Sequence, residues 1–88
     1  MERYKNKIAI IMALAIEVTA KTKADAFVTY YGNADVLVVD IHTSGWTKDH
    51  TPEKHYETHN WQSDEKTKDT IDDVIRTLDY LLETEEQK

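Results

Sequence analysis

The sequence predicts a two-layer α+β domain of order αβββα, two helices on one face of a three-stranded antiparallel sheet. Three observations carry that prediction. A helix-periodic segment without Gly or Pro fills the first 23 residues, and two runs rich in aromatic and β-branched residues flank Gly32-Asn33. The chain then closes on an apolar i, i+3, i+4, i+7 pattern from Ile71 to Leu82. Eighty-eight residues support one hydrophobic core, so a single domain spans 1–88.

In the first segment Tyr4, Ile8, Ile11, Met12, Ala15, Val18 and Thr19 share one side of a helical wheel. Ile10 and Leu14, four residues apart, form a second stripe nearly opposite. An amphipathic surface helix does not need that stripe. Either the helix is covered on two sides within the fold, or Ile10 and Leu14 meet a partner, and self-association into a homodimer is the expectation for so short a chain. The apolar run Ile8 to Ile16 falls well short of the roughly 20 residues a membrane helix requires. Arg3, Lys5 and Lys7 before it imitate a signal peptide, but Glu17 places a charge where cleavage would occur. A cytoplasmic setting with no membrane contact is therefore expected, in keeping with the absence of cysteine.

Phe27-Val28-Thr29-Tyr30-Tyr31 and Val36 to Ile41 read as a hairpin around Gly32-Asn33, because both residues accept the positive φ of a tight turn. A two-residue turn places Val28, Tyr30, Leu37, Val39 and Ile41 on one face. The other face receives Phe27, Thr29, Tyr31, Val36, Val38, Asp40 and His42. Residues 43–53 have loop chemistry, with the second Gly and the single Pro. A third strand is expected between Lys54 and Trp61. Ser63 followed by Asp64 and Glu65 reads as a capped helix start with acids in its first turn. At the far end Glu83, Glu85 and Glu86 oppose the helix dipole, which predicts fraying there.

If both helices cover one sheet face, nothing in the chain covers the other. Phe27, Tyr31, Val36 and Val38 are then solvent-facing, the kind of apolar patch that marks an interface. Trp46 joins this set as an interface candidate. The bland expectation for Trp46 and Trp61 is that they close the core at the sheet edges, since indoles bury a large area.

Charge adds direction. The chain carries 17 acidic and 11 basic residues, a net charge of −6, which disfavours direct nucleic-acid binding. Residues 1–23 are net positive, whereas 62–88 hold nine of the acids. The two terminal helices can therefore attract each other. Alternatively Asp69, Asp72, Asp73, Asp79 and Glu83 form an acidic face that docks a basic protein surface, as a mimic of nucleic acid does.

All four histidines lie between 42 and 59. His42, His55, Glu57 and His59 are a candidate metal set, although on a strand His55 and His59 stand roughly 13 Å apart and only neighbours could chelate. The HExxH signature, a phosphate-binding Gly-rich loop and a nucleophile elbow are all missing from the sequence. No catalysis and no cofactor are expected.

The pattern Ala20-Lys21-Thr22-Lys23-Ala24-Asp25-Ala26-Phe27-Val28, then Tyr31-Gly32-Asn33 and Gly45-Trp46, resembles small uncharacterised proteins of phages and prophages of Gram-positive bacteria. Ile71 to Leu82 is similar to their closing helix. The resemblance implies an accessory phage protein that binds and modulates a host factor in the bacterial cytoplasm. The resulting expectation is an acidic, non-catalytic binding protein using its sheet face or its acidic helix. The alternative is a small-ligand module, for a metal or a nucleotide, built on the His- and Trp-rich segment 42–61.

Overall fold

A computed structural model describes residues 1–84. A 3-10 turn (Glu2–Tyr4) leads into helix α1 (Lys5–Lys21), followed by strands β1 (Asp25–Tyr31), β2 (Val36–His42) and β3 (Lys54–Thr58) and helix α2 (Asp64–Thr84). The sheet is antiparallel with order β1-β2-β3, so β1 and β3 are its edges. This is the αβββα order that the periodicities predict. The third strand is shorter than expected: Tyr56 and Thr58 turn inward, while the chain beyond Thr58 leaves the sheet. Of the acids expected to fray the final helix, Glu83 lies in α2, and Glu85 and Glu86 lie outside the described residues.

Helix α1 stops at Thr22, whose backbone is extended and whose hydroxyl donates to Val18 carbonyl O at 2.7 Å. The same hydroxyl accepts the Ala24 N–H at 3.0 Å, so a buried polar group redirects the chain into β1 with its hydrogen bonds satisfied. Helix α2 starts as its sequence predicts, with Ser63 Oγ accepting the Lys66 N–H at 3.2 Å. Both helices lie on the sheet face that carries Leu37, Val39 and Ile41. With these residues Ile11, Val18, Ile71, Val74, Leu78 and Leu81 form the core. Arg3 bonds to Asp64, and Lys7 Nζ bonds to Asp72 Oδ1 at 2.7 Å, so the helices run side by side in the same direction. The charge asymmetry of the sequence is spent partly here, on attraction between the first and last elements.

The hairpin departs from expectation. Tyr31 pairs with Val36, and four residues rather than two connect the strands. The Ala34 N–H reaches Tyr31 carbonyl O at 3.2 Å, and the left-handed residue is Asp35, at φ 53°, rather than Gly32 or Asn33. Asp35 is held there by its side chain. The Met1 ammonium lies 2.8 Å from both carboxylate oxygens, and the Tyr30 hydroxyl donates to Oδ1 at 2.6 Å. Those bonds offset the cost of αL for a non-glycine residue. The register differs from a two-residue turn by two positions, an even number, so each side chain still falls on its predicted face. Gly45 has the other positive φ, 95°, and a Cβ there would stand 3.1 Å from the Lys23 carbonyl O.

Candidate functional site: the open face of the sheet

The strand register sets the open face row by row. Asp25 pairs with His42, Phe27 with Asp40, Thr29 with Val38 and Tyr31 with Val36, while Asp40 and Val38 pair on their other side with His55 and Glu57. Phe27 and Tyr31 therefore lie on edge strand β1, Val36 and Val38 on the central strand, and a His/Glu column on β3. Phe27 is 45% exposed and Tyr31 50%, whereas Val36 and Val38 are half-buried between their neighbours. Trp46 stands 55% exposed in the loop after β2, anchored by its backbone N–H, which donates to Asp25 Oδ2 at 2.7 Å. The expectation that the tryptophans close the core is thus corrected. Trp61 is 76% exposed and stacks on His59 with ring centroids 5.0 Å apart, and the core is complete without either indole.

The β3 column is a ladder of carboxylates and imidazoles. His55 Nδ1 bonds to Asp40 Oδ1 across the strand pair, and its Nε2 lies 3.3 Å from Glu57 Oε2. The other Glu57 oxygen lies 3.2 Å from His59 Nε2. An imidazolium donates from both nitrogens, so Asp40 first and Glu57 second hold His55 charged to a higher pH than a free imidazole. His42, in contrast, is buried, with its ring edge-on to Phe27 at 5.5 Å. Its Nδ1 finds no hydrogen-bond partner among the described residues.

The sequence-predicted metal set is thereby split. Glu57 joins His55 to His59, while His42 sits apart against Phe27. Among the described residues no group of three or more His, Asp and Glu side chains is gathered around one point as a metal requires. In the loop after β2, Glu53 accepts the Thr43 N–H at 2.8 Å and is held below the usual carboxylate range mainly by that bond.

The acidic helix face is present but not unopposed. Asp72 is engaged by Lys7, which lowers its pKa, and Asp73 by Arg76 at 3.3 Å, while Asp69, Asp79 and Glu83 lie on the exposed side of α2. Lys66, Lys68 and Arg76 are exposed among them. The Ile10–Leu14 stripe divides. Leu14 is half-buried against the core, on the flank where Lys7 reaches α2, and only Ile10 remains exposed. The sequence reading missed that Met12 and Ile16 are exposed instead, on the flank towards β1. A finer reading of the wheel could have found them. Ile16 falls outside the core face, and Met12 sits at that face's margin.

Compared with family models, curated proteins and solved structures, the chain matches none. No described helix is long and apolar enough to cross a membrane.

Proposed function

We propose that this is a non-catalytic binding protein that docks a partner protein on the open face of its sheet. The observation that carries the reading is the pair Phe27 and Tyr31, half exposed on a sheet face that no element of the described chain covers. With Trp46 they provide the aromatic centre on which interface energy concentrates. Asp40 and Glu57 already hold His55 between them, and Asp25 and Glu53 accept the Trp46 and Thr43 N–H groups, so the complementary partner is selected chiefly by an apolar pocket. The resemblance of residues 20–46 to phage accessory proteins supports a phage origin and a host factor as the partner, met in the bacterial cytoplasm. Over the acidic face of α2 the sheet face is preferred, because Asp72 and Asp73 already have basic partners within the chain.

The test is a comparison of variants on one purified partner. A protein captured from host lysate is isolated, and its affinity is measured for wild type, for Phe27→Ala with Tyr31→Ala, and for Asp72→Lys with Asp73→Lys and Asp79→Lys. Loss of at least about tenfold in the aromatic variant, with retention in the charge-reversed one, supports the sheet face. The reverse pattern transfers the function to the acidic helix. A thermal shift with zinc or a nucleotide, and no protein partner, transfers it to the small-ligand reading of segment 42–61.

A further inference from the structure

Helix α1 is apolar on more sides than the fold covers. Its Ile8 to Ile16 run contains no charge, and Ile11 and Ala15 are buried while Ala9, Met12, Ala13 and Ile16 are exposed, Ile16 at 62%. A helix apolar all round is normally buried all round. Met12, Ile16 and Ala20 line a groove shared with Ala26 and Val28, which belong to β1. Beside that groove runs the outer edge of β1, on which no strand pairs among the described residues.

The chemistry of that edge can be read from one bond. The Ala26 N–H points away from β2, since it donates to Thr19 Oγ1 at 3.1 Å. Antiparallel pairing alternates, so the N–H and C=O groups of Val28 and Tyr30 also point outward. No proline interrupts β1, and its one charged residue, Asp25, stands at its start. Edge strands are ordinarily blunted by lysine, proline or a bulge, and this one has none of those devices.

We propose that the α1–β1 flank is the interface of a homodimer, in which β1 of each copy pairs antiparallel about a two-fold axis near Thr29, so that Val28 of one copy faces Tyr30 of the other and the Ala26 N–H stays with Thr19. The sheets join into one of six strands, and Met12 and Ile16 of the two copies pack together beneath it. A second copy is the occupant for two reasons. First, the acids of this chain of net charge −6 concentrate on α2, whereas the charges beside Tyr30 are Lys5 and Glu2, bonded to each other at 3.2 Å, with Asp25 at the far end of β1, so two copies meet here with little like charge opposed. Second, a helix of 17 residues beside a strand of seven makes a strip about 25 Å long and about 20 Å wide, or about 500 Å² in flat projection. Side-chain relief brings that footprint close to the roughly 800 Å² per partner of a stable interface. An isologous contact needs a patch complementary to itself, and an unpaired strand edge provides one because donors and acceptors alternate along it. The dimer would place two open sheet faces on the same side of one sheet. Its existence does not depend on what binds there.

Sedimentation equilibrium over a wide concentration range tests the assembly. Wild type is expected at twice the 10.2 kDa monomer mass. Ile16→Glu is expected to weaken dimerisation at least about hundredfold, because two-fold symmetry buries two new charges at once. Helical circular dichroism of the variant should remain that of wild type, as Ile16 is outside the core. Amide exchange supplies an independent readout: Val28 and Tyr30 should be protected in concentrated wild type and exchange fast in Ile16→Glu. A wild type that stays monomeric refutes the proposal. So does a dimer indifferent to Ile16→Glu but broken by Ile10→Glu on the opposite flank, or fast exchange at Val28 and Tyr30 within the dimer.

Discussion

Ile11 and Ile16 stand five residues apart on the same helix, and truncating each to alanine isolates burial from every other variable. Ile11 has no exposed surface, whereas Ile16 keeps 62% of its own. Removing three buried carbons at about 0.8 kcal/mol each, and leaving a partly collapsed cavity, makes Ile11→Ala cost about 3–4 kcal/mol. The same truncation at Ile16 forfeits about 1 kcal/mol of partial burial and regains roughly 0.4 kcal/mol from the better helix propensity of alanine. The net cost is about 0.5 kcal/mol. Urea unfolding followed by circular dichroism, at a concentration low enough to populate the monomer, measures both. At this chain length Ile11→Ala should lower Tm by about 15–25 °C and Ile16→Ala by only about 2–4 °C. Equal costs at the two sites would mean that α1 is not seated on the sheet as described. Repeated at high concentration, the Ile16→Ala cost should grow while the Ile11→Ala cost stays fixed, because only Ile16 faces the second copy.

Two further predictions concern charge. His55 has its pKa raised by Asp40 and then Glu57, so the protonated imidazole adds stability that is complete below its unfolded value of about 6.5. That increment is lost as pH rises through the folded value, and an NMR titration of Asp40→Asn should return the His55 midpoint towards 6.5 and flatten stability between neutral and mildly alkaline pH. Asp35 behaves in the opposite sense. The Met1 ammonium and then the Tyr30 hydroxyl lower its pKa, so its contribution is present above about 3.9 and disappears as pH falls through the lower folded value. Asp35→Ala should lower stability, through the lost bonds and a left-handed backbone that alanine resists, with acid unfolding less steep than in wild type. A variant as stable as wild type would show that the Met1–Asp35 pair contributes nothing.

The elements were legible because periodicity is a local property. Ile71, Val74, Leu78 and Leu81 specify a helix face whatever they pack against, and the alternation in Val36 to Ile41 specifies which residues face the core. The faces came out right even though the turn did not, since a register error of two residues preserves parity. What was hidden depended on contacts between distant parts of the chain. Asp35 adopts its left-handed conformation because Met1, 34 residues away, and Tyr30 bind its carboxylate, and neither partner lies in the turn itself. Leu14 leaves the exposed stripe because α2, distant in sequence, lies on its flank. The His55–Asp40 bond was half visible, since a hairpin and a third strand together bring the two residues opposite each other. The exposure of both tryptophans was not visible, because size alone argues for burial and only the finished core shows that no space remains for them.

The bonds from Arg3 to Asp64 and from Lys7 to Asp72 join residues 61 and 65 positions apart, and they have a consequence for how the chain is made. Helix α1 is synthesised well before α2, its neighbour in the fold. Until α2 has left the ribosome, α1 has the sheet on one side and water on the others, with every part of the uncharged run Ile8 to Ile16 that does not face the sheet displayed. Closing so long a loop is slow relative to forming the hairpin, so the unfinished chain spends its vulnerable interval with that run exposed. Aggregation during expression should therefore begin at α1; slowing translation ahead of α2 would lengthen the interval and worsen it, whereas a holdase that covers Ile8 to Ile16 would suppress it.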